Sequence, residues 1–315
     1  MDDDLTIPFP FPDPGEGNGT GRDHEWLYAR AQRRNQFWDS PTTLDWFKAR
    51  GYTLYKRIPD HRDSPWLTAP QTANNETLVY ANYPYSGHDS SSTDKSLPAR
   101  CAIVKTVGVF KLHLTPNVYY FLSNVHEQGS VVFAQDEQRR HVAIKLVPKD
   151  TDELKIYEFI QQQDMKTLEE NSILPVLEIL HIKSHCFVVM PRWGGGSIIP
   201  EEYSCTGELL ALVHSLLKGL AFLHNNGIAH RDLALSNVLC NHFSNEHAGG
   251  YFRSVSRRNR TLQFAIFDFD ISIMVPPNAS RSKFRLPYWR NWEGSAWVYD
   301  VDQGELDYDP FAYDV

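Results

Sequence analysis

The chain has few cysteines, and its first residues do not predict a leader sequence; both features bear on where the protein is expected to work. Its four cysteines, at positions 101, 186, 205 and 240, form no C-x-x-C pair and follow no regular spacing. They therefore predict neither a disulfide framework nor a zinc site. The first residues are acidic and then proline-rich, without the basic and apolar regions of a signal peptide. We expect an intracellular, cytoplasmic protein.

Long apolar runs and an excess of basic residues are also missing. No apolar run approaches the roughly 20 residues that a membrane span requires. The 31 basic and 39 acidic residues give a net charge of −8, which is the wrong sign for a protein whose main partner is nucleic acid or an anionic membrane. The composition predicts neither of those partners.

The length and apolar content that are present allow a substantial core. With 315 residues, 42 % of them hydrophobic, the chain can form one large bilobal domain or two small ones. Residues 1–22 are rich in Pro, Gly and Asp and predict a disordered tail. Residues 23–100 form an aromatic N-terminal extension that ends in a Ser-, Asp-, Gly- and Pro-rich linker. We place a boundary near residue 100.

The pattern after this boundary predicts both short strands and helices. Four short β-rich runs predict an antiparallel sheet: Cys101–Val104, Val118–Phe121, Val131–Ala134 and Val142–Lys145. Residues 151–170 are predicted to be helical, and two strands follow at Val176–Leu180 and Phe187–Met190. A long helix is predicted over Glu208–His224, with an apolar face made of Leu209, Val213, Leu216, Leu220 and Leu223.

The strongest chemical signal follows that helix. Residues 230–237 read His-Arg-Asp-Leu-Ala-Leu-Ser-Asn and fit H-R-D-L-x-x-x-N at every fixed position. Chance predicts about one such match in ten thousand chains of this size. In this pattern Asp232 accepts the proton of an attacking hydroxyl, and Asn237 reaches a metal ion bound to phosphates. The alternative interpretation is an ordinary turn after a helix.

Two weaker motifs lie in the matching order. Val142-Ala143-Ile144-Lys145 fits a strand whose lysine pairs with the α- and β-phosphates of ATP, although a plain strand ending in a solvated lysine has the same pattern. Glu153 is the candidate carboxylate partner of Lys145, and Glu158 is its rival. Asp268-Phe269-Asp270 follows an apolar strand where D-F-G is expected, which makes Asp268 a candidate Mg²⁺ ligand.

Together these motifs make residues 118 to 315 resemble the eukaryotic protein kinase superfamily. More loosely, the chain resembles the kinase-like proteins that are numerous in mushroom-forming fungi. This resemblance rests on Phe37-Trp38 with Gly51-Tyr52-Thr53-Leu54-Tyr55 in the aromatic extension, on Val142–Val147, and on Tyr308-Asp309-Pro310-Phe311. The resemblance implies a bilobal α+β fold, with a small β-rich N-lobe at about 101–190 and a helical C-lobe at about 197–315 that looks truncated. It also implies ATP and Mg²⁺ as cofactors and a protein substrate. The residues that it places around the nucleotide are Lys145, Gly129, Val131, Ala143 and Met190.

Several positions depart from the kinase pattern. Only Gly129 remains of the glycine-rich loop, Ala234 stands where a cation would steady the transferring phosphate, and Asp270 replaces a glycine. The triplet at 194–196 is interpreted as a flexible glycine connector, and the insertion at 241–261, which carries four arginines, as a solvated loop. A metal site at Cys240, His242 and His247 is the weaker interpretation of those residues because no four-ligand spacing is present.

These observations leave three functional hypotheses. The leading one is an ATP-dependent kinase that phosphorylates a serine or threonine hydroxyl of a protein, with Lys145, Glu153, Asp232, Asn237 and Asp268 at the site. The second is a pseudokinase or truncated kinase-like module that binds or scaffolds. The third is phosphoryl transfer to a small molecule. The sequence does not indicate which of Ser272, Ser280 and Ser282, if any, is modified in the activation segment.

Overall fold

The computed structural model describes residues 34–57, 66–67, 78–79, 82–89, 130–195, 205–244, 249–293 and 306–314. The predicted tail at 1–22, the strands predicted at 101–104 and 118–121, and Gly129 all lie outside the described residues. The boundary placed near residue 100 also lies outside them and stays a prediction.

The elements are numbered here in chain order. Those up to the middle of the chain are α1 (Pro41–Lys48), β1 (Thr53–Leu54), β2 (Lys56–Arg57), β3 (Trp66–Leu67), β4 (Leu78–Val79), β5 (Gly87–Asp89), β6 (Val131–Gln135), β7 (His141–Pro148), α2 (Asp152–Gln161), α3 (Met165–Glu170), β8 (Glu178–His181) and β9 (His185–Pro191). The remaining elements are β10 (Gly194–Gly195), α4 (Thr206–Asn225), β11 (Ile228–Ala229), β12 (Val238–Cys240), β13 (His242–Ser244), α5 (Gly249–Arg258), β14 (Phe264–Ile266), β15 (Ile273–Met274), β16 (Leu286–Pro287), β17 (Asp307–Tyr308) and α6 (Pro310–Tyr313). Short 3₁₀ turns occur at Leu235–Asn237, Arg281–Lys283 and Tyr288–Glu293.

The small lobe is built on a five-stranded antiparallel sheet with the strand order β1-β6-β7-β9-β8. Strands β7 and β9 lie in the middle of this sheet. All residues of β9 and most residues of β7 are buried. The large lobe follows with α4, the short sheets around β12 and β14, and the segment up to α6. This sheet-rich lobe followed by a helix-containing lobe confirms the predicted α+β, kinase-like fold class.

The described part of the N-terminal extension packs against the small lobe. The side chains of Trp38, Trp46 and Phe47 surround Phe187 of β9, and the ring of Phe47 lies 4.9 Å from that of Phe187, edge to face. Burial of large aromatic side chains is a strong stabilising term. Strand β1 pairs with β6 and completes the edge of the sheet. The extension therefore contributes both a strand and a layer of core to this lobe.

Two helices occupy the region where a single helix was predicted over 151–170. Helix α2 ends at Gln161, and α3 begins after Asp164, whose carboxylate accepts a hydrogen bond from the backbone of Thr167 at 2.9 Å. An aspartate that binds the backbone in this way favours a helix start over a helix interior. The single-helix prediction was therefore wrong at Asp164.

The buried face of the long helix α4 agrees with the predicted one only in part. Leu220 and Leu223 are buried as predicted, and Leu212 is buried as well, whereas the predicted Leu209 and Val213 are 43 % and 41 % exposed. The helix is apolar around most of its circumference, so periodicity does not single out one face. Among the described residues, α4 is also the one helix that is long and apolar enough to cross a membrane. Only a minor part of this helix is buried. The predicted absence of a membrane partner stays a prediction.

The arginine-rich insertion contains a helix and is not simply a solvated loop. Helix α5 carries Arg253 and Arg257, each of which is 7 % exposed. Arg253 donates to the carbonyl oxygen of His242 at 3.2 Å, and Nε of Arg257 lies 3.6 Å from a carboxylate oxygen of Glu208 at the start of α4. These two arginines attach the insertion to the large lobe.

The glycines at 194–195 are also more ordered than a flexible connector. They form β10, which pairs with β12. A Cβ atom on Gly194 would lie 2.1 Å from the carbonyl oxygen of His242 and 2.9 Å from Cα of Phe243, so the backbone of β13 leaves no room for a side chain. Glycine is required here for close packing of two backbones.

We predict that Gly194→Ala lowers the free energy of unfolding by about 1–3 kcal/mol, the usual cost of overpacking. Gly207→Ala is the matched control, because the nearest atom to its Cβ, Sγ of Cys205, is 3.7 Å away. Alanine also favours helix at that position, by up to about 1 kcal/mol. Urea unfolding of both variants measures the difference. A Gly194→Ala protein as stable as the parent would show that β10 and β13 are less tightly packed.

Candidate active site

A buried lysine lies at the centre of the cleft between the lobes. Lys145, on β7, is 7 % exposed, and its Nζ lies 2.5 Å from Oε1 of Glu153 and 2.5 Å from Oδ1 of Asp268. Strand β7 belongs to the small lobe, and Asp268 follows β14 of the large lobe. One ammonium group therefore joins the two lobes through two carboxylates.

The start of α2 positions the first of these carboxylates. The side chain of Thr151 caps the helix by accepting a hydrogen bond from the backbone of Leu154. Glu153 consequently lies in the first helical turn, where the helix dipole favours a negative charge. Between the two glutamates that the sequence offered, the structure pairs Glu153 with Lys145, and Glu158 is only partly buried.

Burial and charge act in opposite directions in this cluster. Burial by itself lowers the pKa of Lys145, but the carboxylates of Asp268 and Glu153 outweigh it and raise that pKa well above its usual value. Burial raises the pKa of Glu153 to about 7, although Lys145 opposes the shift. Lys145 is therefore charged at neutral pH, and Glu153, with a pKa of about 7, titrates near neutral pH.

The raised pKa of Glu153 makes stability depend on pH. Between about pH 4.5 and 7 the folded protein holds a proton on Glu153 that the unfolded chain has released, so the contribution of Glu153 to stability falls as pH rises through this window. We predict that Glu153→Gln removes this pH dependence. Across the whole window it changes the free energy of unfolding by up to about 3 kcal/mol. Urea unfolding at pH 5 and pH 7.5 compares the variant with the parent. Parallel pH profiles would contradict a raised pKa at this carboxyl group.

The catalytic-loop candidates are held together by hydrogen bonds. The side-chain nitrogen of Asn237 donates to both the backbone oxygen and Oδ2 of Asp232, each at 2.8 Å. Asn237 is buried, whereas Asp232 is partly accessible. The bond leaves the carbonyl oxygen of the Asn237 amide for another partner. The loop thus fixes one accessible carboxylate beside an amide oxygen.

Asp314 is a further residue of the site, one that the sequence motifs did not indicate. Its Oδ2 accepts hydrogen bonds from the backbone nitrogen of His230 at 2.7 Å and from Nε2 of His224 at 2.9 Å, and its Oδ1 accepts from the nitrogen of Arg231 at 2.5 Å. Arg231 has φ of +67°, a conformation that a non-glycine residue keeps only when its surroundings hold it. Asp314 therefore supports the backbone next to Asp232.

Aromatic contacts connect the site across the lobes. Phe269 is 1 % exposed, and its ring lies 5.5 Å from that of Tyr157 on α2 and 5.3 Å from that of His230. Phe269 thus fills the space between the lobes. Tyr157 follows Glu153 by four residues, a spacing that puts both on one helix face and could have indicated it from the sequence.

The side chain of Arg231 holds the segment after Asp268. Its guanidinium group donates to the carbonyl oxygens of Ile271 and Arg290 and to the hydroxyl of Tyr308. The candidate modification sites differ in access. Ser272 is buried and donates to the backbone of His230 at 2.8 Å, whereas Ser280 and Ser282 are exposed.

The remaining nucleotide-site candidates come from neighbouring strands. Val131 is opposite Lys145 in the β6–β7 ladder, and Ala143 is opposite Met190 in the β7–β9 ladder. Met190 is buried and lies near the end of β9, one residue before Pro191, whereas Val131 and Ala143 are partly accessible. All three thus lie near Lys145 on the same sheet, while Gly129 lies outside the described residues.

The oxygen groups near Lys145 suit a hard divalent cation. Within the described ranges no group of three or more His, Cys, Asp or Glu side chains is arranged to hold a metal ion, which also covers Cys240 and His242. Magnesium, however, is typically held by one or two carboxylates together with substrate phosphates. Asp268 and the amide oxygen of Asn237 fit that type of site.

Asp270 and Ala234 remain as departures from the expected pattern. Desolvation in the cleft raises the pKa of Asp270, Asp268 raises it further, and Lys145 opposes both. Asp270 is not among the described residues with positive φ, so its side chain causes no backbone strain there. Ala234 supplies no cation, and the neighbouring Arg231 uses its guanidinium group on backbone oxygens and Tyr308.

Comparison with known proteins matches the sequence of the chain to a family. The family model described as the protein kinase domain matches residues 127–290, more than half of the 315 residues. The chain is similar to the serine/threonine-protein kinase STE20 of Debaryomyces hansenii, with 33 % identity over 121 residues, 36 % of this chain and 11 % of that protein.

Two other relatives are similar over comparable segments. A probable myosin light chain kinase of Dictyostelium discoideum is 34 % identical over 106 residues, 32 % of this chain and 30 % of that protein. The serine/threonine-protein kinase shk1/pak1 of Schizosaccharomyces pombe is 32 % identical over 78 residues, 24 % of this chain and 12 % of that protein. The chain therefore matches less than a third of the length of each of these relatives.

Proposed function

Because the chain belongs to the protein kinase domain family, we propose that it is an ATP-dependent protein kinase that phosphorylates serine or threonine hydroxyls. The observation that carries this proposal is the contact of Lys145 with both Glu153 and Asp268, beside an Asp232 that Asn237 orients. Two of the relatives described above are named serine/threonine-protein kinases, which supports the choice of acceptor.

The proposed roles follow from the chemistry of phosphoryl transfer. Lys145 binds the α- and β-phosphates of ATP, and Glu153 holds its ammonium group in place. Asp232 orients the acceptor hydroxyl and accepts its proton as the oxygen forms a bond to the γ-phosphorus. The bond from that phosphorus to the β–γ bridging oxygen breaks, and ADP leaves. Asp268 and Asn237 would hold Mg²⁺, which neutralises charge on the phosphates.

The proposal is tested by incubating the chain with Mg²⁺, γ-labelled ATP and a generic protein acceptor such as casein. We expect labelled phosphoserine or phosphothreonine, and we expect the label to disappear in Lys145→Met. Label in a small molecule other than ATP and inorganic phosphate, with none in protein, would instead support transfer to a small molecule.

A second candidate function is a binding or scaffold module without phosphoryl transfer. Ala234 favours it, because a cation near the transferring phosphate contributes to transition-state stabilisation. Thermal unfolding with and without Mg·ATP, in the parent and in Asp268→Ala, reports whether a nucleotide site has formed. A nucleotide-dependent rise in the parent together with no phosphoryl transfer supports the binding module. Transfer that is lost in Asp232→Ala excludes it.

A further inference from the structure

Only a very short segment joins the two lobes. Strand β9 of the small lobe ends at Pro191, and β10, which begins at Gly194, already pairs with β12 of the large lobe. Arg192 and Trp193 are therefore the two residues between the lobes. They follow Met190 and Pro191 at the end of β9, so their position affects how this edge of the cleft is oriented.

A segment of the N-terminal extension, residues 82–89, contacts this junction. The indole nitrogen of Trp193 donates to the carbonyl oxygen of Pro84 at 2.7 Å, and the hydroxyl of Ser86 donates to the carbonyl oxygen of Arg192. Ser86 is 6 % exposed. Both residues of the junction are thus bonded to one short stretch of chain.

The same segment continues onto the large lobe. Strand β5 runs parallel to β13, and the nitrogen of Gly87 donates to the carbonyl oxygen of Asn241 at 3.0 Å. On the side of the small lobe, the guanidinium group of Arg140 lies 4.2 Å from the ring of Tyr85, a cation–π contact. Residues 82–89 therefore touch both lobes and the junction between them.

The side chain of Arg192 reinforces this connection. It is fully buried and donates to the hydroxyl of Tyr55 at 2.8 Å. Its guanidinium carbon lies 4.6 Å from the ring of Phe133 in β6 and 3.8 Å from the ring of Phe243 in β13. One junction residue is thus enclosed by the extension, the small lobe and the large lobe.

We propose that residues 82–89 are a positioning brace, which holds the junction at Arg192 and Trp193 and thereby sets the nucleotide-binding geometry of the cleft. The effect on nucleotide rests on the proposed function, whereas the joining of the lobes does not. Because the brace contacts the junction and not the groups that react, its loss weakens ATP binding without slowing the transfer step.

Two variants of different severity test the brace. Ser86→Ala removes the hydrogen bond to Arg192, and Gly87→Pro removes the donor to Asn241 and disrupts the β5–β13 pairing. Ser184→Ala is the matched control, because its exposed hydroxyl is hydrogen-bonded to the neighbouring His185 in the β8–β9 turn. Hydrogen exchange is measured without nucleotide at 191–195 and 241–244, with 142–147 as the internal reference. The Kd for Mg·ATP and the kcat at saturating ATP are measured in parallel.

We expect both brace variants to exchange faster at 191–195 and 241–244 and unchanged at 142–147. The Kd and the KM for ATP should rise about three- to tenfold, the effect of losing one or two hydrogen bonds, with kcat unchanged. The control should match the parent in every measurement. Unchanged exchange in folded Ser86→Ala and Gly87→Pro, or a lower kcat at unchanged KM, overturns the proposal. If the parent itself does not bind Mg·ATP, the proposed function fails, and the exchange comparison still decides whether the brace joins the lobes.

Discussion

Asp232→Asn is expected to lower kcat for phosphoryl transfer by about 10²- to 10⁴-fold, the usual contribution of a positioned general base. The amide keeps the size of the carboxylate but cannot accept the hydroxyl proton. We expect the KM for ATP to change little, because Asp232 contacts Asn237 and not the lysine that binds phosphates. Steady-state kinetics with labelled ATP measure both parameters.

Asp152→Asn is the matched control for this substitution. Asp152 lies on the surface of α2, where its carboxylate pairs with Lys155 at 2.8 Å. Exposed pairs of this kind contribute little to stability, so the control should retain the activity of the parent. An Asp232→Asn protein with the parent rate would show that the transfer is catalysed at another site or by another enzyme.

Asp314→Ala is expected to lower the free energy of unfolding by about 3–5 kcal/mol, because it leaves buried donors of the catalytic loop without their acceptor. The backbone nitrogens of His230 and Arg231 both lose a charged partner. Arg231 would also lose the contact that maintains its positive φ. We expect kcat to fall together with stability, since Asp232 is the next residue.

Asp309→Ala separates this effect from local helix capping. Asp309 begins α6 by accepting a hydrogen bond from the nitrogen of Phe311 at 2.9 Å, and loss of such a cap costs about 1 kcal/mol. Chemical unfolding and kinetics of the two alanine variants are compared. Equal losses would show that Asp314 stabilises its own turn and does not support the catalytic loop.

The residues with the clearest chemistry could be predicted from sequence because their spacing is local. Asp232 and Asn237 lie five positions apart in one loop, and the structure joins them by a direct hydrogen bond. Lys145 and Asp268 were predicted separately, and their 2.5 Å contact spans 123 positions. The order of the motifs indicated the family, but the choice of Glu153 over Glu158 needed the helix cap at Thr151.

Other features depended on contacts between distant parts of the chain. Nothing in the local sequence around Asp314 indicates that it accepts hydrogen bonds from residues more than 80 positions away. The whole buried face of α4 could not be chosen by periodicity, because the helix itself carries apolar residues around most of its circumference. Gly194 was predicted to belong to a flexible connector, whereas the backbone of β13 packs directly against it.

By itself, the amino-acid sequence determined the candidate residues for phosphoryl transfer, because short motifs are properties of neighbouring residues. Through the family resemblance that these motifs carry, it also indicated the α+β fold class. The tertiary structure alone decided what surrounds them. It brought residues 82–89 to the junction at Arg192 and Trp193 and placed Asp314 under the catalytic loop. Such contacts depend on how the whole chain folds, since each joins polar groups that are distant in sequence and satisfied only when packing brings them together.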